Sequence, residues 1–288
     1  METSETERKC YGGAQDAGNR LKRLKKVLYG AALVAMVAVA FAFILLPLLS
    51  LFLKTTPEAF FGSFDEPVVI KALTLSLVTA TCSTALVLLF GTPVAYLLSH
   101  RQFRGKAFLE TAIDMTVVLP PAVAGLGLLM AFGRMGTVGE YLYPLGIKLP
   151  FTTLAVIMAQ VFVSSPFYIR QARVSLRDVN KEYEEAARTL GSSKLHTFFR
   201  ITLPLASAGL ISGAIMAWAR ALGEFGATIM FAGNLSGRTQ TMPLAIYTTM
   251  ETDISAAIAL SIILVIVSFA VMATVRMLSR RMTYDSRN

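Results

Sequence analysis

Long apolar segments separated by short polar ones dominate the sequence. Five runs with few or no charged residues span 27–53, 68–98, 151–168, 205–231 and 256–278. About 20 apolar residues in an α-helix cross the roughly 30 Å hydrocarbon core of a bilayer, so each run predicts a transmembrane helix. A sixth run at 109–132 is less regular, because Asp114 lies near its start and Pro120 and Pro121 in its middle. The pattern predicts an all-α membrane protein with six transmembrane helices.

The composition agrees with this prediction. With 55% hydrophobic and only 16% charged residues and a mean hydropathy of +0.60, a soluble domain would leave too much apolar surface in water. The first run follows a polar tail and lacks a small-residue cleavage site, which predicts an uncleaved span. We therefore expect a disordered cytoplasmic tail at residues 1–26 and a six-span permease-like domain at residues 27–288.

Lysine and arginine predict the orientation in the membrane. With six spans, most of the 27 basic residues fall in the N-terminal tail, in the loops at 101–106 and 170–200, and in the C-terminal tail. Basic residues concentrate in cytoplasmic loops, so both termini and these loops are predicted to be cytoplasmic. Because the net charge of +9 is spread over short loops and forms no folded basic face, it does not predict nucleic-acid binding.

The cytoplasmic loop at about 178–204 predicts two short helices joined by a sharp turn. Asn180 suits the N-cap of the first helix, and Glu184 lies near its positive end. Gly191 is predicted to end this helix, since glycine adopts the left-handed conformation at little cost. Ser192 or Ser193 can then begin a second helix. The loop is expected to form a knob that fits a cleft on another protein.

A spaced motif runs through the same loop. The pattern E-A-A-x3-G-x9-I-x-L-P begins at Glu185 and ends at Pro204. It resembles the coupling loop of ABC importer permeases, and the alternative is an ordinary helix hairpin. The resemblance implies an ATPase-coupling surface formed by Glu184, Glu185, Ala186, Ala187, Leu190, Gly191 and Ser192.

Two further stretches narrow the family. Residues 220–234, continued by 239–243, and residues 118–125 look like the permeases for molybdate and their sulfate and tungstate relatives. This resemblance implies a type I ABC importer permease fold and a channel-forming subunit that carries molybdate or tungstate across the cytoplasmic (inner) membrane. It also implies a cytoplasmic ABC ATPase dimer, a second permease subunit, as a rule a copy of the same chain, and an extracytoplasmic oxyanion-binding protein. A sulfate/thiosulfate ABC permease and an ATP-independent secondary transporter remain as alternatives.

The proline pair predicts a break in the third span. Pro120 and Pro121 lack the backbone N–H groups that would bond to the preceding turn, so the helix opens there. Together with Ala122 and Gly125, they are predicted to line or hinge a gate in the translocation path. A static kink that improves packing is the alternative.

The fifth span carries the second candidate for the path. Arg220 and Glu224 are one helical turn apart, so their side chains can pair, and charges at membrane depth face protein or water. Either Arg220 attracts the oxyanion while Glu224 moderates its charge, or the two form a structural ion pair. A stripe of small residues on this span predicts a helix interface or a pore wall: Gly209, Gly213, Ala217 and Ala221.

Nothing in the sequence predicts catalysis. A glycine spacing that resembles a P-loop is followed by Asn19 and Arg20 in place of Lys-Ser/Thr. The two cysteines support neither a disulfide nor a metal site, and His100 and His196 are predicted to be solvated. The sequence predicts a transport subunit without cofactor or metal, and ATP hydrolysis by a separate partner.

Overall fold

The structure, a computed structural model, describes the backbone of residues 3–63 and 66–285, and the side chains of residues 26–277 apart from 27, 59, 64 and 65. Within the described backbone every regular element is helical, which confirms the predicted all-α class. A 3₁₀ turn lies at Tyr143–Leu145 and a π-helical turn at Phe198–Thr202. The α-helices are α1 (Thr3–Lys54), α2 (Pro57–Gly62), α3 (Pro67–His100), α4 (Lys106–Val118), α5 (Pro121–Phe132), α6 (Gly139–Leu142), α7 (Thr153–Arg177), α8 (Lys181–Thr189), α9 (Lys194–Thr197), α10 (Leu203–Leu222), α11 (Gly226–Ala232), α12 (Met242–Met250) and α13 (Ile254–Asp285).

Five helical stretches of the described chain are long and apolar enough to cross a membrane. They are Leu28–Lys54, Pro67–His100, Thr153–Arg177, Lys194–Leu222 and Ile254–Met277. The number rises to six if α4 and α5 form one broken span. Each of the five regular spans predicted from the hydrophobic pattern therefore overlaps one of these helical stretches.

Residues 1–54 and 55–288 form two compact units. The first contains α1, whose residues from Leu28 to Lys54 are almost all exposed, as suits contact with lipid. The structure differs from the expected disordered tail, because α1 already begins at Thr3. The tail contains Lys, Arg, Leu and Ala, all good helix formers, so the helix of the apolar run continues into it.

In the second unit, α7 packs most extensively against α3 and α10. Their shared core contains Tyr168, Ala172 and Leu176 of α7 together with Leu210 and Ala217 of α10. The small-residue stripe of α10 lies in this packing, as a Cβ on Gly213 would stand 3.1 Å from Gln171 Cβ of α7. Within the described chain the stripe is a helix interface, the first of its two predicted roles.

Two predicted spans are interrupted. The third span is two helices, because α4 ends at Val118, α5 begins at Pro121, and their axes are bent by 117°. A proline disfavours helical geometry in the preceding residue, and Leu119 and Pro120 both have extended ψ angles, 125° and 133°. The fifth span ends at Leu222, so the predicted helix through 231 is wrong at this point. Glu224 lies in the break before α11 and not on the same helix as Arg220.

Candidate coupling surface and translocation path

The loop between α7 and α10 forms the predicted elbow. Asn180 Oδ1 accepts a hydrogen bond of 3.0 Å from the backbone N–H of Glu182 and caps α8. Gly191 follows α8 with a φ of +85°, the left-handed geometry that glycine adopts most easily. Ser193 Oγ then accepts a bond of 3.3 Å from the His196 N–H and begins α9, while Ser192 Oγ receives one of 3.2 Å from the Thr197 hydroxyl.

Large apolar side chains cover the outside of this elbow. Leu190 is 89% exposed and Leu195 is 72% exposed. We define the elbow patch as these two residues together with Tyr183 and Phe199, which are also exposed. The patch lies on a loop rich in charged residues, and exposing these apolar side chains to water is unfavourable. Such a surface indicates a site for a protein partner.

Glu184 ties the elbow to the helix bundle. Its Oε1 accepts a hydrogen bond of 2.6 Å from the Thr202 hydroxyl in the π-helical turn and lies 3.2 Å from His100 Nε2 at the end of α3. The His100 ring also stacks on Tyr96, with ring centroids 4.3 Å apart. The predicted solvation of His100 is therefore wrong, since its side chain is only 13% exposed. Glu185, the first residue of the motif, is exposed instead.

The sequence alone did not assign His100 and Thr202 to this site. They are 84 and 18 residues away from Glu184, and neither separation is a helical or strand repeat. A weak signal was available in Thr202, which lies within the spaced motif between Ile201 and Leu203.

The structure brings the two candidate path regions together. A Cβ on Gly125 of α5 would lie 2.6 Å from the Ala227 carbonyl oxygen of α11, and one on Gly226 would lie 2.8 Å from Pro121 Cβ. Helices α5 and α11 therefore touch through their backbones, about 100 residues apart in sequence. Pro120, Pro121 and Ala122 remain exposed beside this contact.

Glu224 occupies the break between α10 and α11. It is 1% exposed, and its Oε1 accepts a hydrogen bond of 2.8 Å from the Ala227 N–H, which caps α11. Its Oε2 lies 2.7 Å from Arg220 Nη1, an ion-pair distance, although the N–H is not aligned for a hydrogen bond. The predicted pair thus exists, and the Arg220 side chain is 28% exposed beside it.

Two more ion pairs hold α4 against α7. Arg170 Nε lies 2.6 Å from Asp114 Oδ1, and Arg173 Nη1 lies 2.9 Å from Glu110 Oε1. No residue of α4 is fully buried, and its partly buried Ile113 packs against the core that α7 shares with α3 and α10. Among the described residues, no group of three or more His, Cys, Asp or Glu side chains could hold a metal ion.

Sequence comparisons identify relatives over most of the chain. The probable transport system permease protein NifC of Clostridium pasteurianum is 39% identical over 265 residues, which are 91% of this chain and 92% of the relative. The molybdenum transport system permease protein ModB of Mycobacterium bovis is 42% identical over 226 residues, 78% of this chain and 86% of the relative. The sulfate transport system permease protein CysT of Salmonella typhimurium is 34% identical over 242 residues, 83% of this chain and 87% of the relative.

A solved structure has the same fold. A chain of a bacterial ABC transporter involved in the import of the acidic polysaccharide alginate superimposes with a TM-score of 0.75 at 16% identity, covering 90% of this chain and 98% of that one. Residues 87–284 also match the family model described as "Binding-protein-dependent transport system inner membrane component". The chain belongs to this family of inner membrane components of binding-protein-dependent transport systems.

Proposed function

We propose that this chain is the channel-forming permease subunit of an ATP-driven importer for molybdate or tungstate. The elbow patch is the observation that carries the coupling part of this proposal. Its exposed Leu190 and Leu195 lie on a rigidly capped pair of helices, a shape that can enter a cleft on an ATPase. The identity to molybdenum permeases over more than three quarters of the chain supports the cargo. A sulfate permease is the second candidate, with a lower identity of 34%.

The assembly we propose contains two copies of this chain, two cytoplasmic ABC ATPases and an extracytoplasmic oxyanion-binding protein. The chain has six spans, with α4 and α5 counted as the third, and both termini are cytoplasmic. This orientation follows from the distribution of Lys and Arg and places the elbow on the same side as the ATPases. Glu184 links the elbow to α3 and to the start of α10, so movement of the elbow reaches both helices.

The path in this proposal runs beside the contact of α5 with α11. Pro120, Pro121, Ala122 and Gly125 lie at the hinge between α4 and α5, and Glu224 holds the start of α11 on the other side. Rotation of α4 against α5 about the break at Pro120 would alter the packing of α5 beside α11. A path with few fixed charges suits a dianion that must pass without being retained.

The coupling surface is tested by removing its apolar character. We expect Leu190→Ser with Leu195→Ser to abolish copurification of the permease with its cognate ATPase and to lower ATP-dependent uptake in proteoliposomes at least about tenfold, since buried leucines at interfaces contribute about 1.5–3 kcal/mol each. Met135→Ser is the matched control for copurification, because Met135 is 95% exposed outside the elbow. An unchanged yield of the complex with the double variant would contradict the proposal.

The cargo and the energy source are tested together. Proteoliposomes that contain the permease, its ATPase and the cognate binding protein should transport molybdate only when ATP is present on the side of the membrane where the ATPase lies. Excess tungstate should compete more strongly than excess sulfate. Stronger competition by sulfate would favour the sulfate permease, and uptake by the purified chain alone without ATP would favour a secondary transporter.

A further inference from the structure

A polar cavity of about 730 Å³ lies where α3, α4, α7 and α8 approach one another. It is about the size of a small-molecule site. It is separate from the elbow patch and from the contact of α5 with α11. Its lining residues are Leu98, Ser99, His100, Gln102, Phe103, Gly105, Lys106, Ala107, Glu110, Arg173, Val174, Leu176, Arg177, Val179 and Lys181.

Positive charge dominates the cavity wall. Lys106, Arg173, Arg177 and Lys181 line it, and among the described residues Glu110 is the one carboxylate that does. The Glu110 carboxylate is already paired with Arg173 at 2.9 Å. The side chains of Arg177 and Lys181 make no ion pair or hydrogen bond with any residue that the structure describes. The cavity therefore has uncompensated positive charge on a concave surface.

These cations come from three different helices. Lys106 begins α4, where its Nζ donates a hydrogen bond of 3.3 Å to the Arg101 carbonyl oxygen. Arg173 and Arg177 are one turn apart at the end of α7, and Lys181 is the first residue of α8. Like charges that line one cavity repel each other, and an anion between them would relieve that repulsion. Arginine in particular matches the geometry of a tetrahedral oxyanion, because two N–H groups can bind two oxygens at once.

The helices that form the cavity also carry exposed apolar side chains. Phe108 of α4 is 76% exposed, and Val174 of α7, which lines the cavity, is 51% exposed. A basic pocket beside apolar helix surface is a common arrangement for recognising a lipid headgroup at the cytoplasmic side of a membrane.

We propose that this cavity binds a phosphate-type oxyanion, supplied either by the headgroup of an anionic phospholipid or by a free oxyanion in solution. Its placement at the inner membrane surface rests on the proposed orientation of the chain, whereas anion binding itself does not. The bound anion would join α4, α7 and α8, and so hold together the start of the broken span and the start of the elbow.

The test uses the full-length chain in a neutral detergent. Dihexanoyl phosphatidylglycerol, dihexanoyl phosphatidylcholine and inorganic phosphate are titrated separately by calorimetry. Arg177→Gln with Lys181→Gln should raise the dissociation constant for the anionic ligand at least about tenfold, given the contribution of each basic residue to anionic lipid binding. Arg104→Gln with Arg200→Gln is the matched control, since it removes the same charge from exposed residues that do not line the cavity, and should change the constant less than about twofold.

The ligands distinguish the two sources. Binding of phosphatidylglycerol without binding of phosphate or phosphatidylcholine identifies a lipid site, and binding of phosphate as well identifies a site for free oxyanions. Failure of both anionic ligands to bind, or equal losses in the two double variants, overturns the proposal. The proposal is also overturned if the double variant Arg177→Gln with Lys181→Gln keeps its affinity for the anionic ligand but no longer copurifies with the ATPase. The cavity would then belong to the docking interface. Transport is not measured, so the result is independent of the proposed import function.

Discussion

The two carboxylate oxygens of Glu224 contact different groups. Oε1 caps α11 through the Ala227 N–H, and Oε2 pairs with Arg220. A carboxylate that is 1% exposed has lost its contact with water, and the guanidinium beside it offsets part of that cost. This single side chain joins the end of α10 to the start of α11 across the break at Gly223.

We expect Arg220→Met to destabilise the chain by about 3–5 kcal/mol, because it leaves a buried carboxylate unpaired. Arg220→Met combined with Glu224→Gln should recover most of this loss, since glutamine keeps an oxygen that can accept from the Ala227 N–H. Thermal unfolding in detergent and uptake in proteoliposomes measure the two effects. If the pair is structural, the double variant also recovers uptake. A stable double variant that fails to transport would show instead that the Arg220 charge acts on the cargo.

The contact of α5 with α11 depends on a missing side chain. A Cβ on Gly125 would lie 2.6 Å from the Ala227 carbonyl oxygen and 2.7 Å from Met230 Cβ, whereas one on Gly127 would meet nothing within 4 Å. Gly125→Ala should therefore force the two helices apart and destabilise the chain by about 1–3 kcal/mol, the usual range for overpacking.

Gly127→Ala is the control for this substitution, because it lies on the same helix and makes the same chemical change. It should leave the midpoint of thermal unfolding unchanged or slightly raised, as alanine favours helix over glycine. Equal midpoints for the two variants would show that α5 and α11 do not pack as closely as described.

Two neighbouring glutamates of α8, Glu184 and Glu185, have different environments in the elbow. Within α8, Glu184 turns toward Thr202 and His100, while Glu185 is exposed. The first positions the elbow on the bundle, and the second is exposed on the surface where we propose that the ATPase docks. The spaced motif includes only Glu185, so the structure adds an internal anchor to it.

We predict that Glu184→Ala and Glu185→Ala have different effects. Glu184→Ala removes the acceptor of a 2.6 Å hydrogen bond and should speed proteolysis of the elbow in the isolated permease, because α8 is then held less firmly. Glu185→Ala should leave the proteolysis rate unchanged and weaken copurification of the ATPase. The reverse pattern would contradict the assignment of the two roles.

The membrane-spanning helices could be predicted from the sequence wherever a long apolar run defines them. The spans at α3, α7, α10 and α13 follow from apolar runs, and the elbow follows from cap residues and Gly191. The 117° bend between α4 and α5 could not, since two prolines predict a break but leave its angle to tertiary packing. The end of α10 at Leu222 was also hidden, because the apolar run continues through it.

The residues of the candidate site could be predicted from the sequence more readily than the contacts between them. Arg220 and Glu224 were predicted as a pair from their spacing, and the structure contains that pair. The approach of α5 to α11 depends on how distant segments fold together, and a lone histidine such as His100 gives no sign of its partner. Local patterns fix caps and turns, whereas contacts between segments need the packed bundle.

Charged residues are unevenly distributed among the loops of the second unit. The elbow, the cavity lined by Lys106, Arg173, Arg177 and Lys181, and the ion pairs of α4 with α7 lie on segments rich in Lys and Arg, whereas the loop between α5 and α7 has fewer charges. On that loop Arg134 stacks over the Tyr143 ring, with its Cζ 4.8 Å from the centroid, and Lys148 approaches the same ring at 5.3 Å. In the proposed orientation this loop faces the extracytoplasmic binding protein.

Single cysteines test this orientation directly. In a chain whose Cys10 and Cys82 are replaced by serine, a cysteine at Met135 should react with a membrane-impermeant maleimide in intact spheroplasts, since that position is 95% exposed on the predicted outer loop. A cysteine at Leu195, 72% exposed on the elbow, should react only after the membrane is permeabilised, because the basic loops that surround it favour the cytoplasm. Both single-cysteine variants should react with the maleimide in detergent, and this control excludes shielding of either cysteine by the protein itself. Labelling of the Leu195 position from outside would place the elbow beyond reach of any cytoplasmic ATPase, and the mechanism of coupling proposed for this permease would then be wrong.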